Sequence, residues 1–246
     1  MLITSVQNKQ VKEWKKLHER KYRYETKRFL IEGFHLLEEA FKTDQIFEVI
    51  IVEDGINYPS WVEEKNVIKV SEQVFKEISQ TETPQGIAAV IEMKESAATE
   101  DKHVLLLDAI QDPGNLGTII RTADAAGFSK VVLGMGTVDV YNDKVIRASQ
   151  GSIFHIPIER AHLADEIAQL QQKGFSVWAT TLEKAQNYRD ITPNKKTAII
   201  LGNEGSGVDA TLISLADQLV KIPIYGQAES LNVGIAAGIL MYYIRN

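Results

Sequence analysis

The chain has 246 residues, 44% of them hydrophobic, no cysteine and a formal charge of -6. That is enough apolar content for a buried core in one large or two modest domains, while the lack of cysteine excludes disulfides, thiolate nucleophiles and cysteine-ligated zinc. No run approaches the ~18 apolar residues of a membrane span and the N-terminus lacks the apolar core of a signal peptide, so a cytoplasmic protein with no membrane partner is expected.

The net negative charge by itself argues against a nucleic-acid partner, but its distribution does not. Residues 1–28 hold nine Lys/Arg against three Asp/Glu, leaving 18 of the 27 basic and 30 of the 33 acidic residues to the remainder. A basic arm on an acidic body can hold a polyanion, because attraction depends on local potential within roughly a 10 Å screening length. From Ser5 to about Arg23, Val11, Trp14 and Leu17 recur at helical spacing among Lys9, Lys12, Lys15, Lys16 and Arg20. This predicts one basic amphipathic helix that either packs on the body or lies against RNA. RFLIEG from Arg28 is expected as a strand, FHLLEEAFK as a short helix, and FEVIIVE, VIKVS and GIAAVIEM as three further strands. KESAATEDK, residues 94–102, is small, polar and aperiodic, as a linker is. The expected organisation is therefore a small α/β domain over 1–93, a linker over 94–102 and a second domain over 103–246.

In that second domain HVLLLDAI is nearly uniformly apolar, as in a parallel strand covered on both faces. QDPGN then turns into a helix in which Leu116, Ile119, Ile120 and Ala123 keep one apolar stripe, with Asn115 placed to cap it and Thr118 and Arg121 on the other side. KVVLGMG follows as a strand, then a turn through Tyr141–Lys144, a short helix with Arg147 and Ser149, a strand over FHIPIE, a helix over 162–173 and a strand over SVWATTL. The last fifty residues give two strand-to-loop turns, Ile199–Gly207 and Val220–Ser230, and an apolar helix from near Ser230. Strands alternating with helices imply a mainly parallel sheet flanked by helices. The glycine pattern G-x-x-G-x-G at Gly202, Gly205 and Gly207 is not the dinucleotide fingerprint, there is no Walker lysine, and the scattered histidines have no metal spacing, so no metal is expected.

Three separated motifs, NLGTIIR (Asn115–Arg121), LGNEGSG (Leu201–Gly207) and IPIYGQAESLNV (Ile222–Val233), resemble in order and spacing those of the SpoU/TrmH family of RNA 2'-O-ribose methyltransferases in the SPOUT superfamily. TPQGIAAV at 83–90 is similar to the closing strand of that family's N-terminal RNA-binding domain. The resemblance implies a C-terminal trefoil knot, S-adenosylmethionine as cofactor, structured RNA as substrate (ribosomal rather than transfer RNA) and a homodimer through the C-terminal domain. It places the cofactor against Leu201, Gly202, Gly207, Ile222, Ile224 and Leu231, and the reaction at Arg121 with Asn115, Glu204, Ser230 and Asn232 around it. Family accounts make the matching arginine a base. A free guanidinium stays protonated, so the narrower expectation is that Arg121 grips the adjacent phosphate and stabilises the developing alkoxide, while phosphate or water takes the proton. Glu204 is expected either to hold a surface turn or to pair with Arg121, and Ser230 to cap the final helix. Two alternatives stand beside this one: an RNA-binding protein that keeps the fold without turnover, and a nicotinamide-dependent oxidoreductase.

Overall fold

The structure is a computed structural model that describes residues 2–53, 55–94 and 102–245. The chain divides into two compact units, one running up to residue 95 and including 141–154, the other made of 96–140 and 155–246. The expected linker lies, but for its two ends, outside the described residues.

The first unit contains β1 (Leu2–Ile3), α1 (Lys9–Lys16), α2 (Arg20–Thr26), β2 (Arg28–Glu32), α3 (Phe34–Phe41), β3 (Ile46–Val52), β4 (Val67–Val70), α4 (Glu72–Ile78) and β5 (Ile87–Glu92). The sheet order is β1-β4-β3-β5-β2, with β5 antiparallel to both neighbours and the other pairs parallel. Side chains alternate across a strand. Ile50, Val52, Ala88 and Val90 therefore meet Val11, Trp14, Leu17 and Phe75 on one face, while Val49, Ile51, Ile87 and Ala89 meet Leu36, Leu37 and Ala40 on the other. Both faces are covered, and this is why β3 reads as an apolar run from Val49 to Val52.

The basic amphipathic segment packs on the body through its stripe: Val11, Trp14 and Leu17 are buried. It is two helices, not one. Arg23, itself buried, folds back to donate from Nη1 to the carbonyls of Leu17 and His18, both at 2.8 Å, and so fixes the break between α1 and α2. Trp14 Nε1 donates at 2.7 Å and Gln10 Nε2 at 3.1 Å to the buried carboxylate of Glu48.

The rest of the chain supplies β6 (His103–Leu107), α5 (Pro113–Ala125), β7 (Lys130–Leu133), α6 (Asp143–Ser149), β8 (Ile158–Arg160), α7 (Leu163–Gln172), β9 (Ser176–Thr180), β10 (Gln186–Asn187), β11 (Thr197–Leu201), α8 (Ala210–Leu215), β12 (Gln218–Lys221) and α9 (Val233–Arg245). Its strands form a parallel sheet in the order β10-β12-β9-β11-β6-β7-β8. The strand expected over FHIPIE is confined to Ile158–Arg160. Phe154 closes a 3-10 turn, His155 Nδ1 lies 3.0 Å from Asp124 Oδ2, and Pro157 has no N–H to pair.

Residues 141–154, which by sequence fall between elements of the second unit, pack into the first. Ile146 is 2% exposed in the cluster of Phe29, Ile31 and Leu36, and the Tyr141 ring lies 4.6 Å from that of Phe29. His35 Nε2 sits 3.1 Å from the Gln150 carbonyl. No helix of the described residues is long and apolar enough to cross a membrane.

Candidate active site

In a parallel α/β sheet, ligands gather beyond the carboxyl ends of the strands where the strand order reverses. Here that place is between β6, which continues to β7 on one side, and β11, which is laid on the other. The loops leaving these strands are stitched together. Asp108 N donates to Leu201 O at 2.9 Å, Asp209 N to Asp108 Oδ2 at 2.8 Å, and Val138 N to Ile110 O at 2.9 Å. Asn203 Nδ2 donates to the Ala109 carbonyl at 2.8 Å.

The LGNEGSG turn is closed by a two-way backbone bridge between Asn203 and Gly207, at 3.0 and 2.9 Å, with Gly207 at φ 72°. Leu201 and Gly202 are buried at its root. A Cβ on Gly202 would overlap the Gly207 carbonyl and Val208 N, so what glycine admits there is the chain's own returning backbone.

The start of α5 differs from expectation. Asp112 is the cap, its Oδ1 accepting from Asn115 N at 2.7 Å, with Pro113 in the first turn. Asn115 therefore does not cap, and its side chain is committed elsewhere: Nδ2 donates to Glu204 Oε1 and Oδ1 accepts from Asn232 Nδ2, each at 3.0 Å. Asn232 in turn caps α9, its Oδ1 accepting from Gly234 N at 2.9 Å and Ile235 N at 3.3 Å. Ser230 is exposed, two residues before Asn232, and is not the cap that was expected. One side chain from each of the three motifs thus joins a single relay, Glu204–Asn115–Asn232.

Arg121 lies exposed on α5 and, among the described residues, forms no ion pair; the carboxylate expected to hold it is engaged by Asn115 instead. Thr118 and Thr122 face α9, where a Cβ on Gly234 or Gly238 would come within 3.4 and 3.7 Å of their respective methyls. The glycines let the two helices lie close. α9 buries Val233, Ala237, Leu240, Met241 and Ile244 but leaves Ile235 57% and Tyr242 51% exposed, so within one chain it is covered on one face only.

The remaining residues expected at the cofactor lie beyond β12. Ile222 and Ile224 are half-buried, Leu231 is 37% exposed, and the backbone amides of all three donate no hydrogen bond among the described residues. Partly buried apolar side chains beside unspent main-chain donors are the kind of lining that suits a nucleoside. Asp209, which caps α8 through Thr211 N at 2.8 Å, is held below the ordinary carboxylate range by that bond. Among the described residues no group of three or more His, Asp or Glu is disposed to hold a metal ion. Asp112 and Asn203 are two residues of the site that the sequence expectation does not include. An Asp directly before a Pro is a helix-start signal that would have found the first, whereas nothing local marks the reach of Asn203 to Ala109.

A family model described as the SpoU rRNA Methylase family matches residues 102–242. The chain belongs to the SpoU rRNA methylase family. A second model, the MRM3-like substrate binding domain, matches residues 8–89 of this SpoU methylase. It is 49% identical over 244 residues to the 23S rRNA (guanosine(2553)-2'-O)-methyltransferase RlmP of Bacillus subtilis (strain 168), covering 99% of this chain and 98% of that one. Among solved structures, the AdoMet-bound rRNA methyltransferase from Sinorhizobium meliloti is 34% identical with a TM-score of 0.90, covering 100% of the SpoU methylase chain and 97% of its own. The SpoU methyltransferase AviRb from Streptomyces viridochromogenes, in complex with AdoMet, is 26% identical with a TM-score of 0.84 and 97% coverage of both chains.

Proposed function

We infer that this chain transfers a methyl group from S-adenosylmethionine to a ribose 2'-hydroxyl of 23S ribosomal RNA. One observation carries the inference: the 49% identity to a 23S rRNA 2'-O-methyltransferase spans 99% of the chain, so the substrate-binding and catalytic parts are matched together. DNA has no 2'-hydroxyl and cannot be the acceptor.

Gly202, Ile222, Ile224 and Leu231 supply the wall against which the cofactor would sit, with Leu201 and Gly207 holding the turn. The cofactor supplies a methyl on a sulfonium, ready for in-line displacement. What the protein must add is alignment, which is worth on the order of 7 to 11 kcal/mol, and charge compensation as the hydroxyl loses its proton. Arg121, exposed and without an ion pair among the described residues, grips the neighbouring phosphate and stabilises the alkoxide, and phosphate or water accepts the proton. Asn115, Glu204 and Asn232 fix the mutual position of the three loops, and Ser230 borders the acceptor. The N-terminal unit places the RNA, in the cytoplasm. The C-terminal segment is threaded as a knot, and the outer face of α9, with Ile235 and Tyr242, closes a homodimer.

The test is methylation of 23S rRNA with labelled cofactor, followed by nuclease digestion and mass spectrometry, looking first at the guanosine that the Bacillus relative modifies. Methyl on a base would reject the mechanism. Arg121→Ala is expected to lower kcat by on the order of 10²-fold to 10³-fold. For the dimer, Ile235→Glu should shift the sedimentation coefficient to that of one chain; a wild-type species that already sediments as one chain removes that part.

A further inference from the structure

Ala109 has no glycine's freedom, yet it sits at φ 53°, in the left-handed region that brings an alanine's Cβ too close to the following carbonyl oxygen. It lies midway between the end of β6 and the Asp112 cap of α5, the helix that carries Asn115 and Arg121. Its carbonyl is the acceptor for Asn203 Nδ2 at 2.8 Å. The other end of the same carboxamide is also spent: Asn203 Oδ1 accepts from Gly205 N at 2.8 Å and Ser206 N at 3.2 Å. Asn203 backbone N–H and C=O complete the bridge to Gly207. Both ends of the carboxamide and the backbone of this one residue therefore tie the turn bearing Glu204 either to itself or to the loop that leads into α5.

We propose that Asn203 is a positioning residue for the methyl transfer: its carboxamide holds Ala109 in the left-handed conformation and thereby sets the distance between Glu204 and Asn115, and with it the placement of Arg121. The chemistry requires an amide. An aspartate keeps an acceptor for Gly205 and Ser206 but turns a second oxygen toward the Ala109 carbonyl, where two lone pairs repel. The neighbouring ties at Asp108 and Ile110 keep the loop attached, so the consequence is misplacement and not unfolding. A displacement near 1 Å costs on the order of 10²-fold in rate, and with those two ties intact a loss on the order of tenfold is expected.

The proposal rests on the methyltransferase activity inferred above, and wild-type turnover on 23S rRNA tests that activity separately. Given turnover, Asn203→Asp should lower kcat on the order of tenfold with KM for S-adenosylmethionine within about twofold, because the turn keeps its internal caps. Asn203→Ala, which loses both ends, should lower kcat and raise that KM. Adding Ala109→Gly to Asn203→Asp should restore several-fold of the lost kcat, since glycine adopts the left-handed conformation untethered. A purely structural role for Asn203 would move the melting temperature and KM together and would not be rescued at residue 109. Wild-type kcat in Asn203→Asp, or no recovery on adding Ala109→Gly, overturns the proposal. If Asn203→Asp does not fold, the same rescue is read in the Asn203→Ala background.

Discussion

Gly202→Ala adds one methyl at the root of the LGNEGSG turn, and its cost can be worked from the backbone alone. The new Cβ would overlap the Gly207 carbonyl group and the amide of Val208, both main-chain and unable to rotate away. The turn must then lift from β11, opening the two Asn203–Gly207 backbone bonds at 3.0 and 2.9 Å. Two such bonds at about 1 kcal/mol each, with some overpacking strain, give a destabilisation of about 2 to 4 kcal/mol. At roughly 2 to 4 °C per kcal/mol for a chain of this size, the melting temperature should fall by about 5 to 15 °C. Gly205→Ala is the internal control: its Cβ would meet only Asn203 Oδ1, at 3.4 Å, and its cost should stay within about 0.5 kcal/mol. Differential scanning calorimetry gives the stabilities, and isothermal titration with S-adenosylmethionine should show weaker binding for Gly202→Ala alone. A Gly202→Ala protein that melts with wild type, or a Gly205→Ala protein that suffers equally, would show that the turn is not packed as described.

Glu204→Gln keeps an Oε1 that can accept from Asn115, so kcat should stay within about threefold, whereas Glu204→Ala should lose tenfold or more; equal losses would mean that the charge itself is used. Ile146→Ala should destabilise the chain by about 2 to 4 kcal/mol in urea titrations, because Ile146 is 2% exposed in the core of the first unit; a change under about 0.5 kcal/mol would detach 141–154 from that core. Burial lowers the pKa of both His18 and His103, so between their folded values and about 6.5 the unfolded chain binds more protons than the folded one. Stability is therefore fully present above about pH 7 and declines as pH falls below about 6.5; a denaturant midpoint that stays flat from pH 7 to 5 would contradict this.

The strands were legible because burial on both faces writes itself as an uninterrupted apolar run: His103–Leu107 and Thr197–Leu201 are buried at every position. The break between α1 and α2 was not, since Leu17, His18 and Glu19 include no glycine or proline and the device that holds them is Arg23 reaching back from six and five residues away. α8 and β10, six and two residues long, are too short for a period to register. Residues 141–154 looked like part of the second domain because their neighbours in sequence are, and only long-range packing assigns them elsewhere. At the site the residue types were readable and the partners were not. Charge complementarity ranks Glu204 with Arg121, but the phase of α5, fixed by the Asp112 cap, presents Asn115 to Glu204 instead.

That exchange of partners has an electrostatic consequence. A carboxylate locked onto Arg121 would spend the guanidinium's forked donors and cancel its charge before any RNA arrived, and a phosphate would have to compete with a neighbour already in place. A carboxamide carries no net charge, offers a donor and an acceptor at opposite ends, and can join a carboxylate on one side to a second amide on the other, as Asn115 does between Glu204 and Asn232. The loops are thus tied across 117 residues of sequence by bonds that leave Arg121 without an ion pair among the described residues. Under the proposed function, holding the scaffold with amides and keeping the charge for the substrate meets two requirements that an Arg–Glu pair would set against each other.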